Sequence, residues 1–282
     1  MNQDIISSAL LKNLKVEVYS QGESVYSSGD VSNGKLYFLL EGEITVRVDG
    51  FSEGYTTVIE KGKFFGEIAV INKYPRNETA TVRSGFARVI ALRGIDFTHA
   101  IMLNKFILKK LLESSNNRFN AAINYYLFRK VSIDQFDFED SAAESTRNKI
   151  REMLNQIYNL NSFFYRKESI IYKEIDLCRG NFYLVESGQV TTYRRMNDKS
   201  DYLVIIVHEE GDIFGEQAFF NSDIRKEKAL ATSTTVRLRE IHSETFEKLL
   251  NLHSEYFLYF IQMILWKVFV VESKIGEIER RS

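Results

Sequence analysis

The sequence predicts an α+β fold with two tandem antiparallel β-rolls (jelly-roll-like domains), each flanked by helices. Three observations support this fold: an internal repeat, short runs of β-branched and aromatic residues between glycines, and long amphipathic segments after each set of runs. A chain of 282 residues is long enough for two domains of ordinary size. Hydrophobic residues make up 44% of it and charged residues 27%, which is usual for a globular protein.

An eight-residue phrase occurs twice and defines two similar units. Residues 62–69 read Gly-Lys-Phe-Phe-Gly-Glu-Ile-Ala, and residues 211–218 read Gly-Asp-Ile-Phe-Gly-Glu-Gln-Ala. The match extends upstream, where residues 34–46 resemble residues 180–192. Two matching units of this length indicate that a complete domain is repeated.

The spacing between matched residues changes along the repeat. Upstream residues match at an offset of 146, whereas Gly66 and Gly215 are 149 positions apart. We therefore expect three extra residues in the second unit, at the tip of a hairpin. Further upstream, the stretch that ends at Tyr26 resembles the stretch that ends at Ile171.

Each unit contains short predicted strands. Their β-branched and aromatic residues are separated by glycine turns, which favours an antiparallel sandwich or roll. The predicted strands are 36–40, 44–48, 56–59 and 89–92 in the first unit, and 182–185, 190–193, 203–207 and 236–238 in the second.

Three segments have helical periodicity, namely 97–128, 139–160 and 243–279. We place the domain boundary near Ile133-Asp134, which gives domains 1–133 and 134–282. The last segment also has a heptad seam, which predicts a homodimer through this helix; the alternative is a helix that packs on its own domain. The seam residues are Phe257, Ile261, Ile264, Val268, Val271, Ile275 and Ile278.

Composition argues against several classes of partner. The net charge is −1 and no basic run stands out, so nucleic acid is not an expected partner. The single cysteine, Cys178, excludes an intrachain disulfide and favours a reducing, cytoplasmic location. The N-terminus lacks the features of a signal peptide. The apolar stretch 256–271 is shorter than the roughly 20 residues that span a bilayer, so we expect no membrane partner.

The repeated phrase carries residues that suit a sugar phosphate. An arginine follows each glutamate by nine positions, as Arg76 after Glu67 and Arg225 after Glu216. A guanidinium gives charge-assisted hydrogen bonds to phosphate oxygens, and the start of a short helix after the glutamate would present N–H groups. The glycine before each glutamate lets the backbone approach a ligand.

Both units resemble the cyclic nucleotide-binding domain of bacterial catabolite activators, cyclic nucleotide-dependent kinases and cyclic nucleotide-gated channels. The resemblance rests on Gly22-Glu23, on Gly29-Asp30, on the Phe-Gly-Glu-apolar-Ala phrase at 65–69, and on Pro75-Arg76. It implies an eight-stranded β-roll and a ligand such as cAMP or cGMP. It also implies that the glutamate of each phrase accepts a hydrogen bond from the ribose 2′-hydroxyl.

The candidate ligand-binding residues follow from these two arguments. They are Phe65, Gly66, Glu67, Ile68, Ala69, Arg76, Asn77 and Thr79 in the first unit, and Phe214, Gly215, Glu216, Gln217, Ala218, Arg225 and Lys226 in the second. We predict no catalytic residue, metal or cofactor, since the four histidines are scattered without metal-ligand spacing.

Both units depart from the family pattern after the arginine, where the family has small residues. Asn77-Glu78 is interpreted as an insertion of two residues in the first unit, and alignment back from Val82 would put Glu78 at the phosphate position instead of Arg76. In the second unit, Lys226 would add positive charge, whereas Glu227 could block the pocket or pair with Arg225.

The sequence therefore predicts a soluble, non-enzymatic cyclic nucleotide receptor that signals to an unknown effector protein by helix rearrangement. The alternatives are a degenerate fold that acts as a protein-interaction module and a receptor for a cyclic dinucleotide. Phe119, Tyr125 and Tyr126 are candidates to cover the base in the first unit.

Overall fold

The computed structural model describes residues 15–48, 56–94, 105–129, 141–155, 161–196, 202–221, 224–252 and 256–281. Within these ranges it contains sixteen strands and six helices. We call strands β1–β8 roll 1 and strands β9–β16 roll 2.

Each roll is built from eight short strands. Those of roll 1 are β1 (Val16–Ser20), β2 (Ser24–Tyr26), β3 (Lys35–Glu41), β4 (Glu43–Val48), β5 (Thr56–Glu60), β6 (Phe64–Phe65), β7 (Glu78–Val82) and β8 (Phe86–Arg93). Those of roll 2 are β9 (Ser162–Arg166), β10 (Ile170–Tyr172), β11 (Asn181–Ser187), β12 (Val190–Arg195), β13 (Tyr202–His208), β14 (Ile213–Phe214), β15 (Lys228–Ala231) and β16 (Thr235–His242).

The two rolls share one topology. The sheets of roll 1 have the strand orders β1-β8-β3-β6 and β2-β7-β4-β5, and roll 2 repeats both orders with β9-β16-β11-β14 and β10-β15-β12-β13. Every strand pair within these sheets is antiparallel. The predicted fold class, two tandem antiparallel β-rolls with helices, is confirmed.

The core of each roll lies between its two sheets. Alternate residues of β4, namely Ile44, Val46 and Val48, are buried, while Arg47 between them is exposed. This alternation follows from the two-residue period of a strand. Matching positions fill the interior of roll 2, beginning with Val190 on β12.

The helices flank the rolls, as predicted. They are α1 (Glu67–Ile71), α2 (Lys105–Arg129), α3 (Ser141–Asn155), α4 (Glu216–Asn221), α5 (Ser243–Leu252) and α6 (Tyr256–Arg281). The predicted helix 97–128 is described from Lys105 onward. The predicted single helix 243–279 is described as α5 and α6, and residues 253–255 between them lie outside the described part.

The chain divides into two compact units that exchange helix segments. One unit comprises residues 1–111 and 265–282, and the other comprises residues 112–264. Helix α2 therefore continues from the unit of roll 1 into that of roll 2, and α6 continues in the opposite direction. The predicted boundary near Ile133-Asp134 lies outside the described residues, so the division into domains 1–133 and 134–282 stays a prediction.

The heptad seam of α6 is buried within the single chain. Its described members Ile261, Ile264, Val268, Val271 and Ile275 are at most 2% exposed. Buried residues surround the seam as well, so α6 is enclosed on most of its circumference. Phe257 and Ile278, the remaining seam residues, lie outside the residues whose side chains are described. Among the described helices, none is both long and apolar enough to cross a membrane.

Candidate functional site

The repeated phrases form matching loops that we call the first cassette (residues 62–79) and the second cassette (residues 211–228). Gly66 has φ of 73° and Gly215 has φ of 78°, a left-handed conformation that favours glycine. A Cβ atom at Gly66 would lie 2.9 Å from Nη1 of Arg76, and one at Gly215 would lie 2.6 Å from Nη1 of Arg225. Each glycine therefore makes room for the arginine nine residues after the glutamate.

The guanidinium of Arg76 is buried and bound to backbone carbonyls. Nη1 donates to Gly66 O and Nη2 to Lys35 O, each at 2.5 Å. The backbone of Arg76 also exchanges hydrogen bonds with the Gly29–Asp30 turn. Arg76 thus ties the first cassette to β3 and to the turn after β2, which explains why Gly-Asp and Arg belong to one motif.

Arg225 has the same arrangement in the second cassette. Nη1 donates to Gly215 O, and Nη2 donates to Asn181 O at 2.8 Å and to Asn181 Oδ1 at 2.6 Å. The backbone of Arg225 pairs with Ile175 and Asp176. A guanidinium has five N–H donors. Arg76 thus donates two hydrogen bonds to these partners, and Arg225 donates three.

A stacked aromatic triad lies beneath each arginine. Tyr26, Tyr37 and Phe65 form it in roll 1, with ring centroids 5.4 to 6.2 Å apart. The guanidinium carbon of Arg76 lies 4.2 Å from the Tyr26 ring centre, a cation–π distance. Roll 2 repeats the triad with Tyr172, Tyr183 and Phe214, and Arg225 lies 4.5 Å from the Tyr172 ring centre.

A buried carboxylate accompanies each triad. Tyr26 Oη donates to Glu78 Oε1 at 2.5 Å, and Tyr172 Oη donates to Glu227 Oε1 at 3.0 Å. Burial, together with these carboxylates, raises the pKa of both tyrosines well above its ordinary value. Glu78 lies on the inner face of β7, and Glu227 is the residue before β15. At both positions the family pattern has small residues.

The strand register corrects two parts of the sequence alignment. Tyr26 pairs with Ala80, and Tyr172 pairs with Ala229. Ala80 follows Arg76 by four residues, and Ala229 follows Arg225 by four residues. The two cassettes are therefore equally long, and the interpretation of Asn77-Glu78 as a two-residue insertion is wrong. The match of Tyr26 with Ile171 is also wrong by one position, since Tyr26 corresponds to Tyr172.

Most of the other predicted site residues converge on the cassettes. Thr79 is the last residue of the first cassette, but its side chain lies on the outer face of β7, where it accepts a hydrogen bond from Ser28 N at 3.0 Å. Asn77 is half-buried, and Lys226 is exposed. The buried members are Phe65, Glu67, Ile68, Ala69, Phe214, Glu216, Gln217 and Ala218.

The candidate covers for the base belong to the unit of roll 2. Phe119 and Tyr125 lie in the part of α2 beyond Leu112, which groups with residues up to 264. They are therefore not neighbours of the first cassette within its own unit. The side chain of Tyr126 lies outside the described part. In the unit of roll 1, Phe269 of α6 instead stacks on Tyr74 of the first cassette, with centroids 4.3 Å apart.

Sequence reasoning missed three residues of these sites, namely Tyr26, Tyr172 and Arg194. The tyrosines repeat at an offset of 146 like the upstream strands, so a stricter alignment would have found them. Arg194 has no counterpart in the repeat, because roll 1 has Val48 at the matching position. No cluster of histidine, cysteine, aspartate or glutamate that could hold a metal occurs in the described part of the chain.

The model of the cyclic nucleotide-binding domain matches residues 16–104 and 162–253. This chain belongs to the cyclic nucleotide-binding domain family. The matched regions contain the described strands of both rolls and both cassettes, so the chain carries two tandem copies of this domain. The resemblance inferred from the repeated phrase is confirmed.

Several curated proteins are similar to parts of this chain. A cAMP-dependent protein kinase regulatory subunit from Hypocrea atroviridis is 24% identical over 224 residues, which are 76% of this chain and 42% of that protein. One from Debaryomyces hansenii is 33% identical over 93 residues, 29% of this chain and 20% of that protein. The Pycsar effector protein RsmPycTIR from a Rhodovulum species is 28% identical over 125 residues, 43% of this chain and 46% of that protein. The chain spans less than half the length of each.

Solved structures resemble the chain at low sequence identity. The regulatory domain of Toxoplasma gondii PKA, co-crystallised with cAMP, is 19% identical; 86% of this chain and 84% of that chain are covered, with a TM-score of 0.30. The c-di-GMP responsive regulator CLP of Xanthomonas campestris is 23% identical; 45% of this chain and 61% of that chain are covered, with a TM-score of 0.38.

Proposed function

We propose that this chain is a regulatory receptor that binds cAMP or cGMP in one or both rolls. The observation that carries the proposal is the repeated pair of buried residues in the cassettes, Glu67 with Arg76 and Glu216 with Arg225. Membership of the cyclic nucleotide-binding family and similarity to kinase regulatory subunits support it.

The cassette residues have the chemistry that this ligand requires. Hydrogen bonds to described residues use two of the five N–H donors of Arg76 and three of those of Arg225, and guanidinium donors suit phosphate oxygens. Glu67 and Glu216 would accept a hydrogen bond from the ribose 2′-hydroxyl, as the family resemblance implies. The receptor would work without catalysing a reaction and without a cofactor.

Signalling would follow from a shift between conformations. A ligand changes the equilibrium between two states only by binding one of them more tightly, and here it would order a cassette and move the helices next to it. An effector protein in the cytoplasm would sense that movement. A homodimer through α6 stays a prediction, and because the seam is buried within one chain, a second copy would have to contact other residues of that helix.

A second candidate function is a protein-interaction module that has kept the fold and lost the ligand. The buried carboxylates Glu78 and Glu227 favour it, since a carboxylate close to a phosphate is repulsive. A cyclic dinucleotide, with two phosphates, would meet the same repulsion.

Thermal unfolding and titration calorimetry with cAMP, cGMP and cyclic di-GMP separate these functions. A ligand at a hundred times its dissociation constant should stabilise the fold by about 2.7 kcal/mol. No stabilisation and no binding heat with any of the three would refute the receptor function and leave the interaction module.

Conservative variants then assign the sites. Arg76→Lys and Arg225→Lys keep a positive charge but lose the planar fork, so each should weaken binding at its own roll. Arg88→Lys is the control, because Arg88 lies on the surface and, among the described residues, forms a salt bridge only with Glu41, at 3.4 Å. A roll whose lysine variant binds as tightly as the control does not use its cassette arginine for the phosphate.

A further inference from the structure

The buried guanidinium of Arg194 distinguishes roll 2 from roll 1. Arg194 lies on β12 and is 5% exposed. It lies on the same, inward-facing side of the strand as Val190 and Thr192, because alternate residues share one face. The matching residue of roll 1 is Val48, which is buried and pairs with Glu78. Roll 2 therefore carries a positive charge at an inner position where roll 1 carries an apolar side chain.

Arg194 contacts the second cassette at two points. Its Nε donates to Lys226 O at 3.2 Å, and its Nη2 donates to Gln217 Oε1 at 3.4 Å. Gln217 lies in the first turn of α4, and Lys226 directly follows Arg225. The guanidinium therefore lies between the two segments of the cassette that the family resemblance assigns to the ligand.

Arg194 also contacts α2 at two points. Its Nη2 donates to Asn120 Oδ1 at 2.8 Å, and its Nη1 donates to Asn124 Oδ1 at 3.2 Å. Asn120 and Asn124 are four residues apart and so share one face of the helix. Both belong to the same compact unit as roll 2. One side chain thus connects the second cassette to α2.

The partners of Arg194 are all neutral oxygens. It forms no salt bridge with any described residue, although a buried charge is usually paired with an opposite one. Burial lowers the pKa of Arg194, and the charges of Glu227 and Glu174 oppose that effect from a distance. Charge-assisted hydrogen bonds to phosphate are shorter and stronger than bonds to carboxamides. A phosphate is therefore a better partner for this guanidinium than those it has.

We infer that Arg194 binds the singly charged phosphodiester of a cyclic nucleotide in roll 2, and that this binding loosens the attachment of Arg194 to α2. The inference rests on the proposed function and names the roll and a residue for it. The phosphate takes over donors that Gln217 and Asn124 hold through the longer bonds. Because Arg194 then no longer holds Asn124, the occupancy of roll 2 changes the attachment of α2.

The test uses the full chain and four compounds: cAMP, cGMP, adenosine and guanosine. Arg194→Val reproduces the residue of roll 1, and Arg195→Val is the matched control, because Arg195 is exposed and lies on the opposite face of β12. We expect Arg194→Val to weaken cyclic nucleotide binding at one site by about 10- to 100-fold, the usual effect of losing a charged hydrogen bond. Arg194→Lys should lose less, and Arg195→Val should match the wild type.

Three results would contradict the inference, and they differ in what they say of the receptor. Unchanged or tighter binding of the cyclic nucleotide to Arg194→Val overturns the role of Arg194 and leaves the receptor intact. Equal binding of nucleosides and cyclic nucleotides by the wild type overturns it too, because no residue would then bind the phosphate. Binding of none of the four compounds by the wild type refutes the receptor and the role of Arg194 together.

A second variant leaves the guanidinium in place, in case Arg194→Val does not fold. Asn124→Ala removes a competitor for Arg194, so we expect cyclic nucleotide affinity at roll 2 to rise several-fold. Asn117→Ala is its control and should bind as the wild type does, because Asn117 is exposed, lies two turns before Asn124 on the same face of α2 and is not among the hydrogen-bond partners of Arg194. Unchanged or weaker binding in Asn124→Ala, relative to this control, overturns the link between the phosphate and α2.

Discussion

Arg147 on α3 forms a two-point ion pair with Asp212, the residue after Gly211 in the second cassette. Its Nε donates to Oδ1 at 2.7 Å and its Nη2 to Oδ2 at 3.2 Å, and Asp212 is fully buried. The matching residue of roll 1 is Lys63, whose side chain is half exposed. The second cassette thus has a buried ionic connection to a helix at a position where the first has a surface charge.

We expect Asp212→Ala to lower the free energy of unfolding by about 3–5 kcal/mol, because the buried Arg147 guanidinium loses its buried counter-charge and keeps only the half-exposed Glu144, at 3.5 Å, among the described carboxylates. Urea unfolding measures this change. Lys63→Ala is the control and should change stability by less than about 0.5 kcal/mol. A loss below 1 kcal/mol for Asp212→Ala, as expected for a surface pair, would contradict the prediction.

Gly215→Ala should destabilise the protein more than the same change at another left-handed glycine. Gly62 is the matched control, since its φ is 86° but a Cβ there would meet nothing within 4 Å. Gly62→Ala should lose about 1–2 kcal/mol from the backbone conformation alone. At Gly215, Arg225 must also move, which adds a loss of about 1–3 kcal/mol from its buried hydrogen bonds. Equal losses in denaturant unfolding would show that Arg225 moves without cost.

Ile175→Gly should stabilise the protein. Ile175 has φ of 70°, a conformation that a β-branched residue rarely adopts, and the matching residue of roll 1 is Gly29 with φ of 85°. Relief of this strain should exceed the entropy that a new glycine adds to the unfolded chain, for a net gain of about 0.5–1 kcal/mol. Leu177→Gly, at an exposed residue without positive φ, should give no gain. A lower unfolding midpoint for Ile175→Gly would contradict this account.

Stability should fall at alkaline pH through the buried tyrosines. Burial, with a contribution from Glu240, raises the pKa of Tyr183 to about 12, whereas an unfolded tyrosine has a pKa of about 10. The folded state therefore holds this proton more tightly. The stabilisation is complete below pH of about 10 and is lost as pH rises through about 12.

The full effect of Tyr183 amounts to about 3 kcal/mol, since one pKa unit corresponds to about 1.4 kcal/mol. Unfolding free energies at several values between pH 9 and 12 should show a shallower decline for Tyr183→Phe than for the wild type. The variant keeps some decline, because Tyr26 and Tyr172 act in the same direction. Identical slopes would exclude Tyr183 as a contributor.

The central strands were predictable because they are runs of β-branched and aromatic residues that lie between glycine turns. The predicted strand 44–48 is β4, which spans Glu43–Val48. Short strands were missed; β6 has only two residues, Phe64 and Phe65. A segment of that length has no period, so only its pairing with β3 defines it as a strand.

The cassettes were predictable from local sequence, whereas the hydrogen-bond partners of their side chains were not. The motif predicted that Glu67 and Arg76 belong to one site, but it did not show that Arg76 donates hydrogen bonds to two backbone carbonyls. The wrong insertion arose because Thr-Ala-Thr-Val at 79–82 offers two alignments, and only pairing with β2 separates them. Arg194 was out of reach because Asn120, its partner on α2, is 74 residues away along the chain.

The heptad seam of α6 predicted a buried helix face but not the part of the protein that covers it. A repeat of apolar residues such as Ile261, Ile264 and Val268 establishes that one face of a helix is covered. The pattern does not state whether the cover comes from a second copy or from the same chain, because both remove the face from water. The burial of these residues within one chain decided the question for the described part of α6.

The exchange of helix segments bears on how this protein can be divided. Helices α2 and α6 each change compact unit part-way, at Leu112 and Leu265. A cut between the rolls would leave each fragment with a helical segment whose neighbours are on the other fragment. We expect the fragments to fold poorly alone and to complement each other when refolded together, measured by the recovery of a single unfolding transition. The two rolls are consecutive in sequence, yet each compact unit includes a helical segment from the part of the chain that carries the other roll.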